Sequence, residues 1–484
     1  MGRSIGRVAW LGITIAVAST LAACKPPPPP PPPHRTTERP PAAVAAEAER
    51  EREALEAAVE AYVYGYPLVT AELARRVATN VERAQGGQAP MGQLARPRPG
   101  EALADGAPRA STDTLTTSAW LDVSGEPWVL SVPEAKGRFH VLTIRSAWLA
   151  LLDASPARGG HGKAGRIALT GPGWSGRLPA GVREVRSPTA LVRIDGRVLA
   201  AGGPSDLHEA QAWIDKLALL PLGANPKKWT PGLGRPDASL EVARPVRDQV
   251  HGLDAVVYFK LLATLLKANP PAAADGAILP TLARIGLVPG KDYDPTGLDA
   301  SVIKALAGVP KAAQEKVMAS AAPSPLVNGW AAAGSASRPI GYLGRAAVVA
   351  AGVDRTLEGL VLTADVDGAG KPLDGSLRRS LRFARGKGPP AEALWTLSAY
   401  DAQGAPVTGR QGRSQLSSKA KFQYGRDGSL ELLLQADAPK GRESNWLPVP
   451  LGPYALVLRL HSPRERAPSA LDGTWKPPAV GKPR

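Results

Sequence analysis

Between Thr117 and Ala200 the apolar residues come in short runs, "SAWLDV", "PWVLSVP", "RFHVLTI", "RIALTG" and "TALVRID", each cut off by turn residues. Short apolar runs spaced by turns are the pattern of strands in a β-sandwich. The pattern returns in the last third of the chain, where "LRFAR", "LWTLSAY", "SLELLLQAD" and "YALVLRLHS" are strand-like. There "DVDGAGKPLDG", "DAQGAPV" and "GRDGSL" put glycine at the turn positions between apolar runs. With Cys24 as the only cysteine there is no intrachain disulfide, so these elements must be held by buried apolar area.

Helical spacing appears in three places. In "AAVAAEAEREREALEAAVEAYVYGYPL", Leu55, Val59, Tyr62 and Tyr66 fall on one helical stripe. The helix is expected to end near Gly65, because Pro67 disfavours a helical Tyr66, and "LVTAELARRVATN" is expected to form a second, short helix. The stretch "SDLHEAQAWIDKLALLPL" reads as a helix capped by Ser205 or Asp206. After a linker rich in proline and glycine come "LDAVVYFKLLATLLKANPP", "ILPTLARIGLVPG", "LDASVIKALAGV" and "KAAQEKVMASAA", helical pieces punctuated by proline.

The N-terminus reads as an address. "MGRSIGR" is positive, and the run from Val8 to Ala23 is uncharged and mostly apolar, the build of a secretory signal and short for a membrane-spanning helix. "LAAC" resembles the lipobox of bacterial lipoproteins, which implies cleavage before Cys24 and lipidation of that residue; Lys25 after it favours the outer membrane. Pro26 to Pro33 form a stiff extended helix, and at about 3.1 Å per residue they would hold the body roughly 25 Å off the membrane. The expected location is therefore the bacterial cell envelope, lipid-anchored and facing the periplasm.

Formal net charge is +16, but the basic residues are scattered, and the densest run, "RRSLRFARGKG", reads as a strand and its turn. The balance implies anionic surroundings or ligands and no nucleic acid. "GPGWSG" fits a dinucleotide glycine pattern, but "RLPAG" follows where a helix should start. "SVIK" at Ser301 to Lys304 lies in an amphipathic helix without companion motifs. "DVDGAG" lacks the later ligands of a calcium loop. The histidines, His34, His140, His161, His208, His251 and His461, show no metal-ligand spacing, and there is no G-x-S-x-G. No metal and no cofactor are expected.

At "AYVYGYPL", "STDTLTTSAWLDVSGEPWVLSVP", "GRFHVL", "GPGW" and "SPTALV", then at "YLGRAAV", "KPLDGS", "LWTLSAYDAQG", "DGSLELLLQ", "SNWLPVPLGPY" and "LDGTWKPPAV", the chain resembles proteins that pair domain of unknown function 1254 with domain of unknown function 1214. The resemblance implies an immunoglobulin-like sandwich, a helical insert and a jelly roll, and brings no general activity with it. Family polar positions are altered in "RASTDTLT", where Asp113 and Thr114 remain but Ser111 and Thr116 replace asparagine and tyrosine. In "SAWL" Trp148 remains while Ser146 and Leu149 replace polar groups, and in "RSQ" Arg413 is kept and Ser414 replaces tyrosine.

The expected fold is mainly β with helical parts. Its divisions are a signal peptide (1–23), the lipidated cysteine with its proline spacer (24–41), an N-terminal helix plus β-sandwich (42–220), a linker (221–248), a small helical domain (249–325) and a jelly roll (340–480). Candidate ligand-binding residues are Asp113, Thr114, Trp120, Arg138 and Arg158 in the first β domain, and Tyr342, Arg345, Trp395, Tyr400, Arg413, Gln435, Asn445 and Trp446 in the second. Arginine offers a planar fork to carboxylate or phosphate, and tryptophan or tyrosine faces can hold a sugar or aliphatic ring. The expected site is one cleft between the β domains, taking an anionic small molecule or a glycan. Two other readings are a hydrolase with Asp113 as base and Arg138 or Arg413 as charge stabiliser, and a structural envelope protein.

Overall fold

The computed structural model describes residues 40–99, 101, 113–155, 162–200, 203–321, 327–332, 341–351, 359–409 and 412–483. Cys24, the proline tract and Arg158 lie outside the described residues. The chain divides into two compact units, Met1–Ala46 and Glu47–Arg484. Of the first, the described part is the opening of helix α1, where the Ala43 N–H donates to the Pro40 carbonyl at 2.8 Å. All that follows concerns the second unit.

Helix α1 (Pro41–Thr79) runs unbroken through Gly65 and Pro67, where a break was expected. A proline inside a helix costs about 3 kcal/mol, through its missing N–H and the clash of its ring. That cost is outweighed here. Tyr62, Val63, Tyr64, Tyr66, Leu68 and Val69 are all almost fully buried, at about 1.5–3 kcal/mol for each large apolar side chain. Gly65 lets a second helix nest against this point, since a Cβ there would sit 2.4 Å from Leu262 Cδ2.

The first β region holds β1 (Thr114–Asp122), β2 (Trp128–Val132), β3 (His140–Ser146), β4 (Leu151–Ser155), β5 (Gly165–Thr170), β6 (Val182–Arg186) and β7 (Leu191–Leu199), then helix α2 (Pro204–Asp215) and β8 (Ala218–Pro221). They form two sheets, β1-β7-β3-β4 and β6-β5-β2-β8, antiparallel except for β5 beside β6. Leu121, Ile194 and Ile144 from one sheet share a core with Leu130, Ile167 and Leu219 from the other. The start of α2 differs from expectation. Gly203 occupies the N-cap with no side-chain cap, because Asp206 is taken up by Arg138. "ALLP" is strand rather than helix, since its backbone pairs with β2.

The helical region comprises α3 (Val246–His251), α4 (Ala255–Ala268), α5 (Leu279–Arg284), α6 (Ala300–Leu306) and α7 (Val309–Ala321). Asp254 caps α4 by accepting from the Val257 N–H at 2.9 Å, and Asp299 caps α6 through Ser301. Its core takes Tyr258, Leu262 and Leu282 together with Tyr62 and Leu68 of α1, so α1 shares its core with these helices.

The second β region contains β9 (Ala331–Ala332), then helix α8 (Gly341–Ala350), β10 (Gly359–Ala364), β11 (Arg379–Phe383), β12 (Ala391–Asp401), β13 (Gln415–Ser417), β14 (Leu430–Gln435), β15 (Trp446–Pro448), β16 (Tyr454–Pro463) and β17 (Val480–Gly481). Its sheets are β13-β12-β16-β10-β9 and β15-β14-β11-β17, with β14 and β15 parallel. Helix α8 departs from expectation: Tyr342 and Arg345 were assigned to the second β domain, yet they sit on a helix whose Ala346 and Ala350 join the helical core. In β12, Trp395, Leu397 and Ala399 enter the sheet–sheet core. The alternate residues Thr396, Ser398 and Tyr400 are fully buried as well. A sheet that buries a polar face must have that face covered, and Asp113 of the first β region lies against Thr396.

Candidate functional site between the two β regions

Asp113, immediately before β1, is fully buried. His461 Nε2 on β16 lies 3.0 Å from its Oδ2, and the Thr396 hydroxyl on β12 donates to the same oxygen. The Asp113 carbonyl in turn accepts from the Ala200 N–H at 2.8 Å, tying the end of β7 to the start of β1. Around this bond the contact is apolar: Phe139 meets the His461 ring edge-on at 5.4 Å and packs with Leu199 and Leu394. A buried carboxylate persists only when hydrogen-bonded, and these partners come from the other β region. Asp113 is thus a tether in a dry seam rather than a base facing solvent.

Beside the seam lies a cleft of about 750 Å³, lined from the first β region by Lys136, Arg138, Trp213 and Lys216 and from the second by Ser417 and Lys419. Leu199 contributes to both seam and cleft. Lys136 sits in the turn before β3 in the left-handed conformation, φ 47°, followed by Gly137 at φ 81°, and this tight turn places it on the cleft wall. Lys216 terminates α2 and Lys419 follows β13. Arg138 is fully engaged: Nη1 donates to Asp206 at 2.5 Å and to the Leu199 carbonyl at 2.9 Å, and Nη2 to Glu209 at 2.9 Å. Among the described residues Lys136, Lys216 and Lys419 make no ion pair and are exposed; Glu134 shares the wall and Asp206 and Glu209 are paired to Arg138, so the lysines leave the cleft a small positive excess. Trp213 is nearly buried beneath them, its Nε1 donating to the Pro133 carbonyl at 3.3 Å.

Of the residues nominated from sequence, Arg138 lines this cleft and Asp113 lies in the adjoining seam. Thr114 begins β1 with its hydroxyl buried and unbonded among the described residues. Trp120 is buried against Ala71, Ala74 and Ala78 of α1, with the Arg193 guanidinium 5.0 Å over its ring. Tyr400 is buried, and its hydroxyl accepts from Arg459 at 3.1 Å. Arg413 does not meet Arg138: its Nη1 donates to the carbonyls of Glu443 and Trp446, the latter at 3.0 Å. Asn445 bonds the backbone of Gln423 and Glu431, and Trp446 Nε1 donates to the Gln435 carbonyl at 2.8 Å. Arg413, Gln435, Asn445 and Trp446 therefore fasten a loop to β14.

Tyr342 and Arg345 form a separate cluster. Arg345 makes a two-pronged pair with Asp275, both bonds 3.0 Å, and lies 5.1 Å from the Tyr342 ring. Tyr64 meets Tyr342 edge-on at 4.9 Å and Trp148 at 4.9 Å, and burial pushes its phenol well above the ordinary range. Sequence reasoning missed Lys136, Lys216, Lys419 and Trp213. Single lysines in turns carry no pattern that separates them from solvated surface charge.

The family model "Protein of unknown function (DUF1254)" matches residues 91–221, and "Protein of unknown function (DUF1214)" matches residues 358–465. The chain therefore pairs these two domains, one over the first β region and the other over β10 to β16 of the second. No curated protein matches. The crystal structure of the VPA0106 protein from Vibrio parahaemolyticus is similar over 89% of this chain and 100% of that one, with a TM-score of 0.65 and 23% identity, a likeness of fold. A crystal structure of a putative uncharacterized protein from Burkholderia cenocepacia overlaps 90% of this chain and 95% of that one, with a TM-score of 0.39 and 13% identity.

Proposed function

We propose that this protein is a lipid-anchored protein of the bacterial envelope that binds a polar, anionic ligand in the cleft between an immunoglobulin-like sandwich and a jelly roll. The observation that carries the reading is the convergence of Lys136, Lys216 and Lys419, free of ion pairs among the described residues, on one cleft from both β regions. Ligand sites favour such inter-domain positions, and a positive excess on a concave wall concentrates anions. The motif "LAAC" with its proline spacer supports the anchor, and Lys25 supports the outer membrane, with the body facing the periplasm. Hydrolysis with Asp113 as base has less support, because a carboxylate sealed between His461 and Thr396 has no room to activate water.

The test uses the full chain carrying Cys24→Ser, which is expected to leave the membrane pellet and lose its acyl mass. Native mass spectrometry of that protein is expected to show a retained anionic ligand. The triple variant Lys136→Ala/Lys216→Ala/Lys419→Ala is expected to lose the ligand with an unchanged melting temperature. Equal retention in the triple variant would overturn the cleft as the site.

A further inference from the structure

A second cavity, of about 210 Å³, lies in the second β region and is lined by Phe383, Trp395, Phe422 and Tyr424 with Ser418 and Gly428. It is separate from the cleft: Ser417 and Lys419 line the cleft while Ser418 between them lines this pocket. Trp395 and Phe422 lie parallel, 5.8 Å between centroids and 3° between planes. Tyr424 is 64% exposed, which makes it the one exposed aromatic side chain among the described residues. Folding leaves its ring in water at the mouth of an aromatic pocket, and burial of that ring is left to a ligand.

The rim is basic. Arg385, Lys387, Lys421 and Arg426 alternate in the same loops with residues that line the pocket, are exposed, and make no ion pair among the described residues. Arg385 packs directly over the pocket wall, since a Cβ on Gly428 would meet its Cδ at 2.8 Å. The one carboxylate in these loops, Asp427, is held by Arg382. Ser418 accepts from the Trp395 N–H at 3.2 Å and keeps its own hydroxyl hydrogen to donate.

We infer that this pocket binds one sugar ring of an acidic glycan, the C–H face of the ring against Tyr424 and Phe422 and its anionic groups against the surrounding arginines and lysines. The exposed face of Tyr424 suits a ring with one apolar face, a hydroxyl donor suits its oxygens, and uncompensated cations select a charged polymer over a neutral one. The site does not depend on the cleft.

Isothermal titration calorimetry of the full chain carrying Cys24→Ser with an alginate tetrasaccharide tests the assignment, with cellotetraose as the neutral arm. Alginate is expected to bind and cellotetraose to bind more weakly. Tyr424→Ala, a change at an exposed position, is expected to weaken alginate binding about fivefold or more, and Tyr424→Phe to retain it. Leu451→Ala, at an exposed position outside both cavities, is expected to leave it unchanged. Absence of heat with alginate, or equal affinity in Tyr424→Ala, would overturn the pocket as a glycan site whatever the cleft does.

Discussion

The two β regions meet in two ways within a few side chains of each other. At the seam, Asp113 is sealed against His461 and Thr396 with Phe139, Leu199 and Leu394 packed around it. At the cleft, Leu199 and Arg138 border an open volume into which lysines from both regions project. The seam is buried and its polar groups are hydrogen-bonded; the cleft is open and keeps its lysines exposed. An acidic residue in a family-like motif thus became cement, while lysines in unremarkable turns became the candidate recognition surface. Motif content and exposure to ligand are different properties, because a motif can be held constant by packing alone.

Substitutions can break this comparison. The largest effect is expected for Asp113→Ala, which strands His461 and Thr396 inside the seam. A buried polar group left without its hydrogen bond costs about 1–3 kcal/mol, and two are left here, read as a lowered denaturant midpoint. Asp113→Asn, which keeps an acceptor, is expected to lose less. If the seam is as inert as the geometry makes it, alginate binding measured on the folded fraction stays the same in both.

Arg138→Ala is expected to have a smaller effect. It removes the guanidinium that binds Asp206 and Glu209, and a charged hydrogen-bond set of this kind is worth about 1.5–3 kcal/mol before screening at a partly exposed site reduces it. Chemical denaturation is expected to show a loss nearer the lower figure. Binding of an anion in the cleft is expected to fall as well, through the positive charge lost from its wall.

The mildest contrast lies between the seam and the helical core. His251 is bonded to the Tyr66 hydroxyl at 3.1 Å, and burial, then Arg247, holds its imidazole below the ordinary value of 6.5. A histidine with a depressed folded value stays neutral in the folded protein while the unfolded chain takes up a proton. Stability is then full above pH 6.5 and falls as pH drops through that value toward the folded one. Melting temperatures of the parent and His251→Gln across pH 7.5 to 5 are expected to converge at the acid end. Parallel curves would remove His251 as the source.

Much of the fold was legible in the chain. The runs around Trp120, Leu130, Ile144, Ile167 and Ile194 became strands because alternation and turn residues act locally, over a few bonds. The helical pieces from Val246 to Ala321 followed their prolines and aspartate caps for the same reason. Local chemistry failed where a distant surface intervened. Pro67 did not end α1 because Leu262 and its neighbours bury the helix there. Asp206 did not cap α2 because Arg138 claimed it, and "ALLP" left its helix for an edge of β2.

The candidate site was less legible still. The sequence by itself determined where the apolar faces, turns and caps fall, and carried the motifs by which DUF1254 and DUF1214 are paired in one chain. It also determined that folding proceeds without a disulfide. Which polar residues meet across hundreds of positions was decided by the tertiary structure alone. Asp113 and His461 are 348 residues apart, and Lys136 reaches the same cleft as Lys419 only after two sheets and a set of helices have packed between them in the chain. Periodicity encodes which side of an element is buried, whereas a site depends on which surfaces are brought together, and that is settled by the shape of the whole core.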